Sequence, residues 1–295
     1  MKLLKNILCA TVLMVTVATL AQQDPNYTLY RYNMNLVNPA YAGAHEGSEL
    51  GLNFRSQWAG VDGAPETQSI FFGTPVGRNL GLGVSIINDR TFIENQTSIA
   101  IDVSYRLKVD VETFLYFGIK AGANSYNVNT SGLVTFGLGA DPSLNNLDGG
   151  FTPNIGAGAY LKGNRYFVSL SMPRLLSSDR LENINGTAQL GRNRLHMYAS
   201  AGYDIKVSDG FEIKPSALLR YVNAAPISID LTTGLEFNQR FEIGAAYRLN
   251  EGLGGYALIN FSDWANAGYV YQNSVNNPVN LGSNGTHEIF LKFKL

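Results

Sequence analysis

The sequence predicts an all-β fold, a transmembrane antiparallel β-barrel of about fourteen strands with a short N-terminal helical or turn segment as plug. Three observations predict it. Apolar and polar residues alternate with a period of two from about Glu49 to the last residue, short and long connections alternate along the chain, and aromatic residues gather at both ends of an aliphatic band.

The first element is a leader. Lys2 and Lys5 precede an uncharged apolar run from Ile7 to Leu20, and the small residues Ala18, Thr19 and Ala21 follow the pattern of a secretory signal peptide cut after Ala21. As a helix that run of about 14 residues spans about 21 Å, short of the roughly 30 Å of bilayer hydrocarbon. The expected organisation is therefore a signal peptide over 1–21, a plug segment over 22–48 and a barrel over 49–295. Cys9, the sole cysteine, lies in the leader, so the mature chain offers no disulfide and no thiolate metal site. Removing Lys2 and Lys5 leaves 20 basic residues of the 22 against 23 acidic ones, a formal charge of -3 that gives nucleic acid no electrostatic footing.

The second element precedes the barrel. Asp24 and Pro25 predict a helix start, with Asp24 as N-cap, Pro25 in the first turn, and Tyr27, Tyr30 and Met34 on one side. The helix should stop near Val37, because Asn38 stands before Pro39 and is pushed to an extended backbone. Asn38-Pro39-Ala40-Tyr41-Ala42-Gly43 then reads as a tight turn into the first strand. This segment serves either as a plug across the periplasmic mouth or as a docking element for a periplasmic partner.

The strands follow. Ser98 to Leu107 is the clearest: Ile99, Ile101, Val103, Tyr105 and Leu107 share one face, and Ser98, Ala100, Asp102, Ser104 and Arg106 the other. Leu195 to Ile205, Phe211 to Tyr221, Ile227 to Phe237, Phe241 to Leu249 and Ile289 to Leu295 repeat the pattern. The remaining strands are expected over Leu50 to Trp58, Thr67 to Thr74, Leu80 to Asn88, Phe114 to Ser125, Asn154 to Leu161, Arg165 to Met172, Gly254 to Phe261 and Ala265 to Asn273.

Alternation alone also suits a soluble sandwich, so the connections supply the second test. Those after even-numbered strands are brief, from Pro75–Asn79 to Ser262–Trp264, while the two longest, Tyr126 to Pro153 and Pro173 to Arg194, follow odd-numbered ones. An outer-membrane barrel with both ends in the periplasm needs that parity. The apolar faces place Tyr105, Tyr166, Tyr203, Phe211, Phe237, Phe241, Phe261 and Phe293 near the periplasmic rim, and Trp58, Tyr221, Tyr247 and Tyr271 near the outer one. The polar faces, carrying among others Arg55, Asp102, Lys120, His196, Arg248 and Glu288, should pair their charges inside a water-accessible lumen.

Little suggests catalysis. His45, His196 and His287 are far apart in sequence and no nucleophile elbow accompanies them, so no enzyme, cofactor or metal site is expected. Asp141, Asn145, Asn146 and Asp148 lack the spacing of a calcium loop and read as a solvated surface.

Gln23-Asp24-Pro25, then Tyr30, Asn33, the run Asn38-Pro39-Ala40-Tyr41-Ala42-Gly43, and the closing Gly285-Thr286-His287-Glu288-Ile289 resemble the PorP/SprF membrane proteins of the type IX secretion system. That family is similar to FadL-type barrels, which also have fourteen strands and an Asn-Pro-Ala element in an N-terminal plug. The resemblance implies a Bacteroidetes-type outer membrane. It implies a role in export or surface anchoring of a partner such as a gliding adhesin through its C-terminal domain, with periplasmic and outer-membrane secretion components as further partners. It makes Asn33, Asn38, Pro39, Ala40, Tyr41 and Gly43 the candidate binding residues, as plug or periplasmic docking motif. A FadL-like passive or ligand-specific uptake channel is the alternative.

Overall fold

The structure, a computed structural model, describes residues 25–129, 147–176, 179–184, 187–192, 195–223, 225–249, 251–274 and 282–295. The leader expected over 1–21 lies outside them.

Alternating sequence becomes strand almost throughout. In chain order the strands are β1 (Glu49–Ser56), β2 (Glu66–Val76), β3 (Leu80–Thr91), β4 (Glu94–Lys108), β5 (Phe114–Val128), β6 (Leu147–Lys162) and β7 (Tyr166–Arg174). A hairpin of β8 (Asp179–Ile184) and β9 (Thr187–Arg192) follows, then β10 (His196–Tyr203), β11 (Ile205–Ser208), β12 (Phe211–Val222) and β13 (Ser228–Phe237). The chain ends with β14 (Phe241–Arg248), β15 (Gly252–Ser262), β16 (Ala265–Ser274) and β17 (Thr286–Lys294). β10 and β11 form one stave broken at Asp204, so with β8 and β9 set aside the wall has 14 staves, each antiparallel to its neighbours.

Closure comes from the last strand. β17 pairs with β1 from Glu49↔Lys294 to Ser56↔His287, and β10 joins β7 to β12 on the far side. Each strand then shows one face outward. On β3 the outward residues are Leu80, Leu82, Val84 and Ile86, all exposed, while Gly81, Gly83 and Ser85 between them are buried. β4 continues the belt with Ile99, Ile101, Val103, Tyr105 and Leu107. A continuous apolar belt around a closed wall is stable against acyl chains and costly against water. Aromatic contacts mark the rim with short turns, where Phe211 lies 5.1 Å from Phe237 and Trp264 stacks on Phe293 at 6.2 Å. No described helix is long and apolar enough to cross a membrane.

Six short turns, 77–79, 109–113, 163–165, 209–210, 238–240 and 263–264, share one rim with the start of β1 and the end of β17. The parity of the connections is thus as the sequence implied.

Several boundaries differ. Strands β3 and β4 run on to Thr91 and back to Glu94, so they stand above the apolar belt and their connection shrinks to residues 92–93. Their upper parts are polar on both faces, and Asn88 donates to Asn95 and Thr97 at 2.8 Å, pairing that carries no apolar alternation to betray it. Likewise β6 starts at Leu147 rather than Asn154, and the expected loop from Pro173 to Arg194 contains the β8–β9 hairpin, paired from Asp179↔Arg192 to Ile184↔Thr187. The rest of the longer expected loop, residues 130–146, is outside the described set.

The helix expected from Asp24 is corrected too. Among the described residues of this segment only Met34–Val37 is α-helical (α1), followed by a 3-10 turn, Pro39–Tyr41 (η1); residues 28–32 form turns instead. The stop at Val37 has the expected cause, since Asn38 is extended at φ -136° and ψ 113° before Pro39. The start fails because the segment lies in the lumen, where its backbone groups find partners on the wall and no longer need a helix.

Candidate functional site: the plugged lumen

The hydrophobic core of this barrel is inside its lumen. Tyr27, Leu29, Tyr30, Met34, Leu36 and Ala40 of the N-terminal segment pack against inward-facing Phe71, Tyr116, Tyr160, Phe167, Leu258 and Phe290 of the wall. Those wall positions share the parity of the charged residues, as Phe290 does with Glu288 and Lys292. The lumen at this level is therefore filled and not watery.

The run Asn38-Pro39-Ala40 sits in a hollow that the wall makes by omitting side chains. Gly118 on β5 and Gly158 on β6 are register partners. A Cβ on Gly118 would lie 2.2 Å from the Ala40 nitrogen, and one on Gly158 would lie 2.0 Å from Oδ1 of Asn38. Backbone approach this close requires glycine at 118, while at 158 the missing side chain leaves the space that the Asn38 amide occupies. Gly43, at φ +65°, then turns the chain out of the hollow against Gly81 of β3.

Asn38 is the central fastener. Its Nδ2 donates to Ser169 Oγ at 2.7 Å and to the Ala159 carbonyl oxygen at 3.0 Å, while Oδ1 accepts from the Ala40 N–H at 2.9 Å. Further along, Ser171 Oγ donates to the Val37 carbonyl oxygen at 2.7 Å and Ser104 Oγ to that of Ala42 at 2.5 Å. Lys162 Nζ donates to the Ala44 carbonyl oxygen at 2.8 Å. On the opposite wall the Thr28 N–H donates to Glu288 Oε2 at 2.9 Å and Tyr30 Oη to Ser216 Oγ at 2.9 Å. Arg31 pairs with Asp204, and Tyr32 donates to Glu242.

The wall's charges mostly neutralise one another. Arg55 meets Glu288 at 3.2 Å, Lys120 meets Asp102 at 3.0 Å, Lys292 meets Glu49 at 2.6 Å, and Arg248 pairs with Asp230. Arg220 donates to Ser228 Oγ at 3.0 Å and forms no ion pair among the described residues. Where the plug leaves the lumen, His45 Nε2 contacts Tyr41 Oη. Its imidazole is held well below the usual histidine range, first by burial and then by the ammoniums of Lys292, Lys162 and Lys294.

All the sequence-predicted site residues lie together in this plug. Asn33, Asn38 and Ala40 are fully buried at 0 % exposure, Pro39 and Tyr41 are buried, and Gly43 is partly exposed near the short-turn rim. Both amide atoms of Asn33 lack a hydrogen-bond partner among the described residues. The sequence reasoning missed the paired glycines, Arg31 and the inward aromatics. The available signal was a break in parity: large rings and glycines on the face otherwise reserved for charge. His196 and His287 lie on separate strands near the opposite rim, and the described residues bring no three His, Cys, Asp or Glu side chains into a cluster able to hold a metal.

A family model described as type IX secretion system membrane protein PorP/SprF matches residues 19–293, a span that includes this plug and reaches into the closing strand. The chain belongs to the PorP/SprF family. Among solved structures this PorP/SprF chain is similar to a Pseudomonas aeruginosa FadL homologue, at 12% identity and TM-score 0.50 over 92% of this chain and 94% of that one. It is also similar to the Ralstonia pickettii toluene transporter TbuX, at 11% identity and TM-score 0.47 over 88% and 92%. At 12% identity the likeness to the FadL homologue shows the barrel fold alone. A comparison with curated proteins found no match.

Proposed function

We propose that this chain is an outer-membrane component of the type IX secretion system that supports export or cell-surface anchoring of a partner protein by binding the partner's C-terminal domain, and that it is not an enzyme. The observation that carries this reading beyond family membership is the filled lumen. A barrel whose own N-terminal segment occupies its bore suits a platform on which cargo docks better than a conduit for cargo. Outer-membrane lipid surrounds the apolar belt, and periplasmic and outer-membrane secretion components act at its rims.

The connections Tyr126 to Pro153, of which residues 130–146 lie outside the described set, and Pro173 to Arg194, which carries the β8–β9 hairpin, are the proposed receiving surface for the secreted partner, because long loops on a rigid scaffold are where recognition is usually placed. Deleting either loop should leave a folded barrel and abolish surface retention of the partner. Intact secretion and surface retention after deletion of either loop would refute this assignment. In the same reading Asn33, Asn38, Pro39, Ala40, Tyr41 and Gly43 are plug residues, and a periplasmic partner would dock on them only when the plug is drawn out.

A FadL-like uptake channel is the second reading. A cleft of about 50 Å³ between plug and wall favours it, lined by Tyr27, Leu36, Asn124 and Asn154, with Asn124 Nδ2 and Asn154 Oδ1 buried and unpaired among the described residues. Solute uptake by the purified barrel in liposomes, in the absence of any secreted partner, would support the channel.

A further inference from the structure

We infer that the cleft between plug and wall is a binding subsite for one uncharged carboxamide group. This rests on the uptake reading for treating the cleft as a ligand seat, and names what that reading leaves open, the chemistry of the ligand.

Two neighbouring strands supply the polar atoms. β5 and β6 pair with Gly122 opposite Asn154, so Asn124 and Asn154 stand diagonally on the same inward face. Both are buried. The neighbouring seam decides how Asn154 is turned. Pro173 has no N–H to give, and the pairing of β6 with β7 stops at Ala157↔Met172, one residue before it. Its carbonyl oxygen takes a bond from Asn154 Nδ2 at 2.9 Å. Asn154 Oδ1 is thereby left as an acceptor and Asn124 Nδ2 as a donor, both buried, unpaired among the described residues and belonging to side chains that line the cleft.

One donor and one acceptor on adjacent strands define the occupant. A buried polar atom without a partner costs about 1–3 kcal/mol, so a group that satisfies both atoms is favoured over one that satisfies either. A carboxamide does so, because its carbonyl oxygen accepts from Asn124 Nδ2 while its N–H donates to Asn154 Oδ1. A carboxylate offers Asn154 no donor, and an ammonium offers Asn124 no acceptor. The cations lining the cleft are already engaged, Lys120 with Asp102 at 3.0 Å and Arg174 with Ser98 Oγ at 3.3 Å, so no charge there calls for an anion.

Size and walls restrict the rest of the ligand. Leu36, Val37, Ile87 and Ala100 present carbon to the cleft, which suits a small alkyl group beside the carbonyl. The volume of about 50 Å³, against the roughly 150 Å³ that encloses a benzene, admits the amide and one or two carbons. The site lies in the long-loop half of the lumen, where Arg174 ends β7. A free amide solute and an asparagine or glutamine side chain of a docked protein share this chemistry.

The test uses the full chain in detergent micelles, isotope-labelled at the asparagine nitrogens, with acetamide as probe. Nuclear magnetic resonance follows the side-chain amide signals of Asn124 and Asn154, the former assigned by its disappearance in Asn124→Leu. Acetamide should shift both at a concentration at least about tenfold below that required of N,N-dimethylacetamide, acetate or ethanol, which lack the donor, the neutrality or the second polar atom. In Asn124→Leu, which keeps the volume, the acetamide response of Asn154 should weaken about tenfold. If that variant does not fold, the four probes on the wild type still decide. Equal responses to all four, or none from acetamide at high millimolar concentration, would overturn the site and leave it holding water only. A serine–glycine peptide with one glutamine that displaces acetamide assigns the amide to a docked protein, and one that does not assigns it to a free solute; the carboxamide chemistry stands in both. Transport is not measured, so acetamide that binds without crossing a liposome wall leaves the site standing and the uptake reading fallen.

Discussion

At the scale of single residues, Asn38 and His45 carry the plug's attachment. Asn38 bridges both its own turn and the wall from a fully buried position, so Asn38→Ala leaves Ser169 Oγ and the Ala40 N–H without their partner. The expected loss is about 1–3 kcal/mol, the usual cost of stranding buried polar groups, measured by unfolding in detergent. His45 brings a pH dependence whose sign is fixed by its surroundings. Protonated, it would face Lys292, Lys162 and Lys294, and the nearby Glu49, 3.4 Å away, is already engaged by Lys292. The folded state therefore keeps His45 neutral below its ordinary pKa of about 6.5, while the unfolded chain takes up the proton. Stability should be full above about 6.5 and should fall as the pH drops from there toward the lowered folded value. Thermal unfolding at pH 7.5 and 5.5 should show this loss in the wild type and a smaller loss in His45→Gln.

At the scale of elements, the plug and the wall are shaped for each other. Gly118→Val places atoms where the Pro39 and Ala40 backbone now lies, and should displace the plug and expose Arg31 to trypsin, at a cost of about 1–3 kcal/mol or more. Gly282→Ala, with no atom within 4 Å of its added carbon, should change neither property. The faces of β4 permit a second check. Val103 points out into the apolar belt, so Val103→Arg should cost about 2–4 kcal/mol in a lipid environment. A neutral outcome would mean that this face does not touch acyl chains.

These elements also show what the sequence made legible. Strand faces were readable wherever one side met lipid and the other was polar, as on β4, because burial and alternation then coincide. They were not readable where both sides are wet, as from Asn88 to Thr97. In the plug, Pro39 dictated the helix end at Val37, since a proline restricts its own neighbour. The helix start depended on wall atoms more than a hundred residues away, among them Glu288 and Ser216, which no local pattern reports. The same holds for the hollow at Gly118 and Gly158, whose purpose appears only when β5 and β6 are set side by side.

At the scale of the whole molecule, closure and plugging answer the same physical demand. A sheet in hydrocarbon must pair every backbone group, which the β1–β17 seam accomplishes, and a wide lumen must then be filled or wet. Here an aromatic and aliphatic core fills it, held by an Asn38 fastener and by ion pairs such as Arg31 with Asp204. A filled bore follows from that design, and the proposed platform role rests on it. Single-channel recording of the barrel in planar bilayers tests it most directly. The wild type should hold no steady ion current, and the Gly118→Val barrel or one lacking residues 25–43 should conduct. A wild-type barrel that conducts steadily, at the level of its plug-deleted counterpart, would contradict the account.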